Sequence, residues 1–251
     1  MQAQAPVTGT FRRAWELLAG NWIVVVPAVI VGIVTGVVLY LLDVYAGVSL
    51  GGLGDLNGGP GVFAIFIGSI VAVVVRMLGA IVSIAYTTGM AAAAWQRGRA
   101  TLADGTSALR KDGTQVFIAI LLLFLIGSIA AFLMDFLFYL PVLLYAIFVL
   151  YTIPGVIVGE RTAVDALVES FRLAGKNFWA TTGVVALIIA IAAVAAILGG
   201  LLHGIPLIGS IFELVVMEVV VAYATLVVVG EYIVLRPTLD QPADAPPPAA
   251  S

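Results

Sequence analysis

Three ionisable side chains lie inside otherwise apolar stretches of this chain, namely Arg76, Glu213 and Glu218. A charge at the centre of a bilayer costs at least about 2.5–3.5 kcal/mol on insertion scales, so such groups normally face a bundle interior and have a partner. Two interpretations of these candidate site residues follow. One is a site for a lipid headgroup, an ion or a proton, and the other is a salt bridge between Arg76 and Glu218 that locks two helices together.

Residues for other kinds of chemistry are scarce. The chain has no Cys, and its single histidine, His203, lies in a short turn without an acidic cluster. The Gly-rich loop 43–60 contains Asp55 and Asn57, but their spacing matches no calcium loop, and the loop lacks the Lys of a phosphate-binding motif. We therefore expect no catalytic residue, no cofactor and no metal site, and the chain is not predicted to be an enzyme.

The composition indicates an integral membrane protein. Of the 251 residues, 63% are hydrophobic and only 10% are charged, whereas soluble domains carry roughly 25% charged residues. The apolar runs predict an all-α, polytopic bundle of six transmembrane helices. These runs cover Trp22–Leu42, 61–95, 116–158 as two spans with a turn near Asp135, 178–202 and 208–235.

A further helix is predicted just before the fifth span, over residues 162–174. Thr162 with Asp165 is typical of a capped helix start. The residues that follow separate into an apolar side and a charged side, which indicates a helix lying on the membrane surface. The apolar side carries Val164, Leu167, Val168, Phe171 and Ala174, and the charged side carries Asp165, Glu169, Arg172 and Lys176.

The same plan recurs along the chain. Aligning Trp22 with Phe178 places Asn21 on Asn177, so residues 10–18 form a second amphipathic helix. A fainter third copy covers 101–112. We therefore predict a membrane domain over 10–235 built from three units (10–97, 101–158 and 162–235), between a disordered N-terminus (1–9) and a disordered tail (236–251). The interfacial anchors are Trp15, Asn21, Trp22, Phe171, Asn177, Phe178 and Trp179.

The basic residues predict the orientation. Ten of the 11 Lys and Arg residues fall on one side of a six-span topology, and the eleventh is the intramembrane Arg76. Because positive residues concentrate in cytoplasmic loops, both termini and all three surface helices are predicted to be cytoplasmic, in a multi-pass protein of the cell membrane.

The stretches FRRAWELLAGNW and ESFRLAGKNFW, each entering a span, carry a family resemblance. The chain resembles the membrane-domain family found fused to bacterial glycerophosphoryl diester phosphodiesterases, and related stand-alone six-span families of unknown function. The resemblance covers about 10–235. It implies a membrane module of the bacterial inner membrane and supplies no catalytic residue, because the chemistry of the fused members belongs to a soluble barrel.

Two functions are compatible with these features. The first is a non-enzymatic module that binds membrane lipids or organises partners through its cytoplasmic helices, with a homo-oligomer or a membrane protein as the partner and no nucleic acid. The second is a transporter or transporter subunit, which intramembrane charges and internal repetition favour.

Overall fold

The computed structural model describes residues 7–46, 62–202 and 208–239. This part of the chain is helical throughout, apart from short turns and connections. Six helical stretches within it are long and apolar enough to cross a membrane, which confirms the all-α, six-span prediction. The helices are α1 Val7–Gly20, α2 Val25–Ala46, α3 Val62–Arg97, α4 Leu102–Leu137, α5 Leu140–Val149, α6 Thr152–Ile157, α7 Ala163–Lys176, α8 Phe178–Leu202 and α9 Ile208–Leu235, and short 3-10 helices cover Trp22–Val24 and Arg236–Thr238.

The second span is one continuous helix, α3, of 36 residues, or about 54 Å at 1.5 Å per residue. At its Ala-rich end, residues 90–94 are buried. Small side chains allow this end to pack closely against α1 and α9. Next to it, the Trp95 indole lies against Gly230, where a Cβ atom would be only 2.2 Å from the ring, and its Nε1 donates to the Leu226 carbonyl at 2.7 Å.

The third surface helix predicted over 101–112 is not formed as a separate element. The capped start is present, because the Thr101 N–H donates to the Asp104 carboxylate at 2.9 Å, but α4 then continues unbroken to Leu137. Gly105 has a low intrinsic helix propensity. It lies directly against the Tyr86 ring, so the missing side chain allows α3 and α4 to approach closely.

The fourth span, Leu140–Ile157, is interrupted between α5 and α6. Pro154 has no N–H to donate to the Leu150 carbonyl, which explains why regular hydrogen bonding lapses here. Ser170 of α7 fills the gap. Its hydroxyl donates to the Phe148 carbonyl at 2.7 Å and accepts from the Tyr151 N–H at 3.0 Å.

The junctions before the first and fifth spans have the same geometry, as the repeat predicts. The Asn21 amide donates to the Leu17 carbonyl at 3.0 Å, and the Asn177 amide donates to the Leu173 carbonyl at 3.1 Å. Their backbone angles also agree, with φ/ψ of −136°/49° and −121°/38°. Helices α1 and α7 therefore end, and lead into the following helices, in the same way.

The two ends of the described part of the chain differ from prediction. Helix α1 begins at Val7, inside the segment expected to be disordered, and Arg236 begins a 3-10 turn rather than a disordered tail. The predictions for Asp55, Asn57 and His203 fall on residues outside the described part of the chain.

Candidate functional site

The structure does not join Arg76 and Glu218, the two described members of the predicted intramembrane set, into a site. The Arg76 side chain is exposed on α3, and the Glu218 side chain is half-buried on α9 with its carboxylate against Gly32, where a Cβ would be 2.9 Å from Oε1. Neither side chain forms an ion pair with another described residue. The side chain of Glu213 lies outside the described set, so its role stays a prediction.

Charged side chains concentrate instead at one end of the bundle. Four connecting segments meet here. They lie around α1, between α3 and α4, between α6 and α7, and after α9. The Asn21 amide donates to the Gly98 carbonyl at 3.1 Å, and an Arg236 guanidinium N–H donates to the Gly159 carbonyl at 3.4 Å. We call this the basic end, because ten of the 11 Lys and Arg residues flank these connections.

A buried carboxylate organises the basic end. Glu169 of α7 was expected on the exposed charged side of its helix, but it is only 8% exposed. Its carboxylate accepts from the buried Tyr232 hydroxyl at 2.7 Å and from Arg161 Nε at 3.0 Å, and Arg236 Nε lies 3.6 Å away. This network ties α7 to the end of α9 and to the loop before α7. Its members are up to 75 residues apart in sequence, so periodicity could not identify it.

Three large apolar residues of α7, Val164, Val168 and Phe171, point away from the bundle, whereas Leu173 is fully buried. The buried side of the helix consists mainly of small residues, which include Ala166, Ser170 and Ala174. Val164 and Val168 are exposed. Phe171 is partly covered by Phe148, with ring centroids 5.2 Å apart in a stacked arrangement. The helix therefore presents an apolar surface that the protein itself leaves uncovered.

A cavity of about 670 Å³ lies on the charged side of α7. Three cations line it, Arg161, Arg172 and Lys176, together with the carboxylates of Asp165 and Glu169. Arg161 is held by Glu169, and Lys176 Nζ donates to the Thr238 carbonyl at 3.2 Å. Arg172 is exposed and has no hydrogen-bond partner among the described residues, so its guanidinium is free to receive an anion.

An apolar groove of about 400 Å³ lies beside this cavity. Ile126 of α4 and Leu167 and Phe171 of α7 form its walls. Val168 and Arg172 line both the groove and the cavity, so the two adjoin along one edge of α7.

A second charged pocket lies between α3, α4 and the end of α6. Its two cations are already paired. Lys111 contacts Glu160 at 2.5 Å and Arg97 contacts Asp104 at 2.5 Å. The hydrogen bond from Lys111 holds the pKa of the Glu160 carboxyl below its usual value, which favours the ion pair at neutral pH. This pocket therefore offers an anion no unpaired cation among its described lining residues, whereas the α7 cavity offers Arg172.

The predicted anchors have different environments. Trp22 and Trp179 are 71% and 83% exposed, and Trp15 is also exposed, with its ring 6.1 Å from that of Tyr223. Asn21 is buried and fully hydrogen-bonded, because its Oδ1 also accepts from the Ala100 N–H at 2.8 Å. Asn177 and Phe178 are half-buried. The tryptophans therefore suit an interface, whereas Asn21 joins loops within the protein.

Among the described residues, no group of three or more His, Cys, Asp or Glu side chains is placed to hold a metal ion. The α7 cavity is therefore the best candidate site, and its lining suits the binding of an anion. No family model, curated protein or solved structure matches this chain.

Proposed function

We propose that this protein is a non-enzymatic membrane module that binds anionic membrane lipids at its basic end. The observation that carries the proposal is the unpaired Arg172 in the α7 cavity, next to an exposed apolar surface on the same helix. Basic pockets beside membrane helices are typical binding sites for anionic headgroups. A bound lipid would let the module organise partner proteins or a second copy of itself around α7.

The proposal places α1 and α7 at the membrane surface, with the basic end and both termini in the cytoplasm. Its support is the positive-inside distribution, together with the exposed Trp15, Trp22 and Trp179 near the same end. The resemblance to membrane domains of bacterial phosphodiesterases favours the inner membrane of a bacterium as its location.

The direct test is native mass spectrometry of gently extracted protein. We expect an anionic phospholipid to copurify with the wild type, and the Arg172→Gln/Lys176→Gln variant to retain much less of it. The matched control is Arg12→Gln/Arg99→Gln, which removes the same charge at exposed positions outside the cavity. Equal lipid retention by both variants and the wild type would contradict the proposal.

A transporter is the second candidate function. The interruption between α5 and α6 favours it, because broken spanning helices often form transporter sites. A small solute bound to the extracted protein, in place of lipid, would support this alternative.

The orientation leads to a separate prediction. A reporter enzyme that is active only outside the cytoplasm should be active when fused after Asp55 or His203, and inactive when fused after Arg110. The physical reason is the cost of moving the basic end across the membrane. Activity of the fusion at Arg110 would reverse the proposed orientation.

A further inference from the structure

We propose that the α7 cavity and the neighbouring groove together bind one anionic phospholipid. Its phosphodiester would contact Arg172 and Lys176, and one acyl chain would lie between α4 and α7. This inference rests on the proposed lipid-binding function and adds that both parts of the same lipid molecule are recognised.

The first support is that the two sites adjoin. Val168 and Arg172 are one helical turn apart, about 6 Å along the axis, and both line the cavity and the groove. A ligand that fills both must change from charged to apolar within this distance. A phospholipid does so where its phosphate joins the glycerol and the acyl chains.

The second support is the balance of charge. The three cations of the cavity face two carboxylates, which leaves one net positive charge at neutral pH. Of these carboxylates, Glu169 is held by Arg161 and Tyr232, and Asp165 accepts from the Thr162 hydroxyl at 2.7 Å. One net positive charge matches one phosphodiester. A headgroup of the phosphatidylglycerol type satisfies this balance, whereas phosphatidylcholine adds a cation of its own.

The third support is the shape of the apolar part. Ile126 and Leu167 belong to different helices, and the stacked rings of Phe148 and Phe171 lie beside them. The groove is a shallow, open depression between α4 and α7. An extended acyl chain is the apolar group that a membrane supplies to such a space, and burial of each CH₂ group favours binding.

The test measures binding of phosphatidylglycerol to the full chain in detergent by native mass spectrometry, with phosphatidylcholine, glycerol phosphate and inorganic phosphate as the comparison probes. Arg172→Gln removes the headgroup contact, and Ile126→Trp fills the groove. The matched control is Leu125→Trp, because Leu125 is the neighbouring residue, is 60% exposed and does not line the groove. Each variant must first show an unchanged melting temperature, and Ile126→Asn replaces Ile126→Trp if the larger side chain unfolds the protein.

We expect Arg172→Gln and Ile126→Trp each to weaken phosphatidylglycerol binding at least about tenfold, a difference readily resolved in a binding constant, while Leu125→Trp binds as the wild type does. Glycerol phosphate and inorganic phosphate should not compete at concentrations that match the lipid.

Three results would overturn this inference. In the first, the Ile126 variant binds as the wild type does while Arg172→Gln loses binding. This would mean that only the headgroup is recognised, and the proposed function would stand. Equal binding of phosphatidylcholine, or effective competition by free phosphate, would refute the phosphodiester assignment. Wild-type binding by both variants would remove the proposed function as well.

Discussion

Ser170→Ala is expected to lower the free energy of unfolding by about 2–4 kcal/mol, since a buried backbone group left without a partner costs about 1–3 kcal/mol. The Ser170 hydroxyl serves two such groups, the Phe148 carbonyl and the buried Tyr151 N–H. Its loss would leave the interruption of the fourth span without its side-chain hydrogen bonds. Unfolding of detergent-extracted protein by heat or by denaturing detergent measures the effect.

Two further variants make this prediction specific. Ser128→Ala is the control, because Ser128 is exposed and its hydroxyl only donates back to the Phe124 carbonyl within α4. We expect this change to have an effect of less than about 0.5 kcal/mol. Pro154→Ala restores an N–H in α6 and should reduce the cost of Ser170→Ala. Equal costs for Ser170→Ala and Ser128→Ala would show that Ser170 does not support the interruption.

Glu169→Leu is expected to lower the free energy of unfolding by about 2–4 kcal/mol, because hydrogen bonds to charged groups contribute about 1.5–3 kcal/mol each. The substitution leaves the buried Tyr232 hydroxyl without its acceptor and releases Arg161. It should therefore separate α7 from α9. The same unfolding assay measures the effect, and added protease reports whether α7 becomes accessible.

A double-mutant cycle tests whether this effect belongs to the buried network. Tyr232→Phe removes the hydroxyl that donates to Glu169. The losses of unfolding free energy caused by Tyr232→Phe and by Glu169→Leu should therefore not add. We expect an interaction energy of at least about 1 kcal/mol between the two sites. The control is Glu16→Leu. Glu16 pairs with Arg12 at 3.1 Å, but both side chains are highly exposed, so this pair should contribute less than about 0.5 kcal/mol. Additive costs at Glu169 and Tyr232 would argue against a shared network.

Local features of the sequence determined the class of the protein and the course of its helices. Apolar length alone predicts six spans, because each span must satisfy its own backbone hydrogen bonds within the bilayer. The starts at Thr101 and Thr162 were equally predictable, since a capping residue and its partner lie three positions apart. The correspondence of Asn21 with Asn177 also follows from sequence alignment.

Only the tertiary structure decided which side of each helix is covered. Periodicity separates apolar from charged residues, but it does not say whether the bundle or the lipid lies against the apolar side. In α7 Leu173, Glu169 and several small residues face the protein, while Val164 and Val168 are exposed, because small side chains allow helices to approach closely. The same close packing buries the Ala-rich end of α3.

The candidate site also required the tertiary structure. The sequence identifies Arg172 and Lys176 as basic residues of a predicted surface helix. It does not show whether their charged groups already have partners within the protein. Whether a cation is free depends on partners distant in the chain. Glu169 forms ion pairs with Arg161 and Arg236, while Arg172 has no such partner among the described residues. Likewise, Ile126 reaches α7 only because α4 packs against it. Local sequence therefore set the helices and their charges, whereas contacts between distant segments decided which charges and apolar surfaces remain free to bind a ligand.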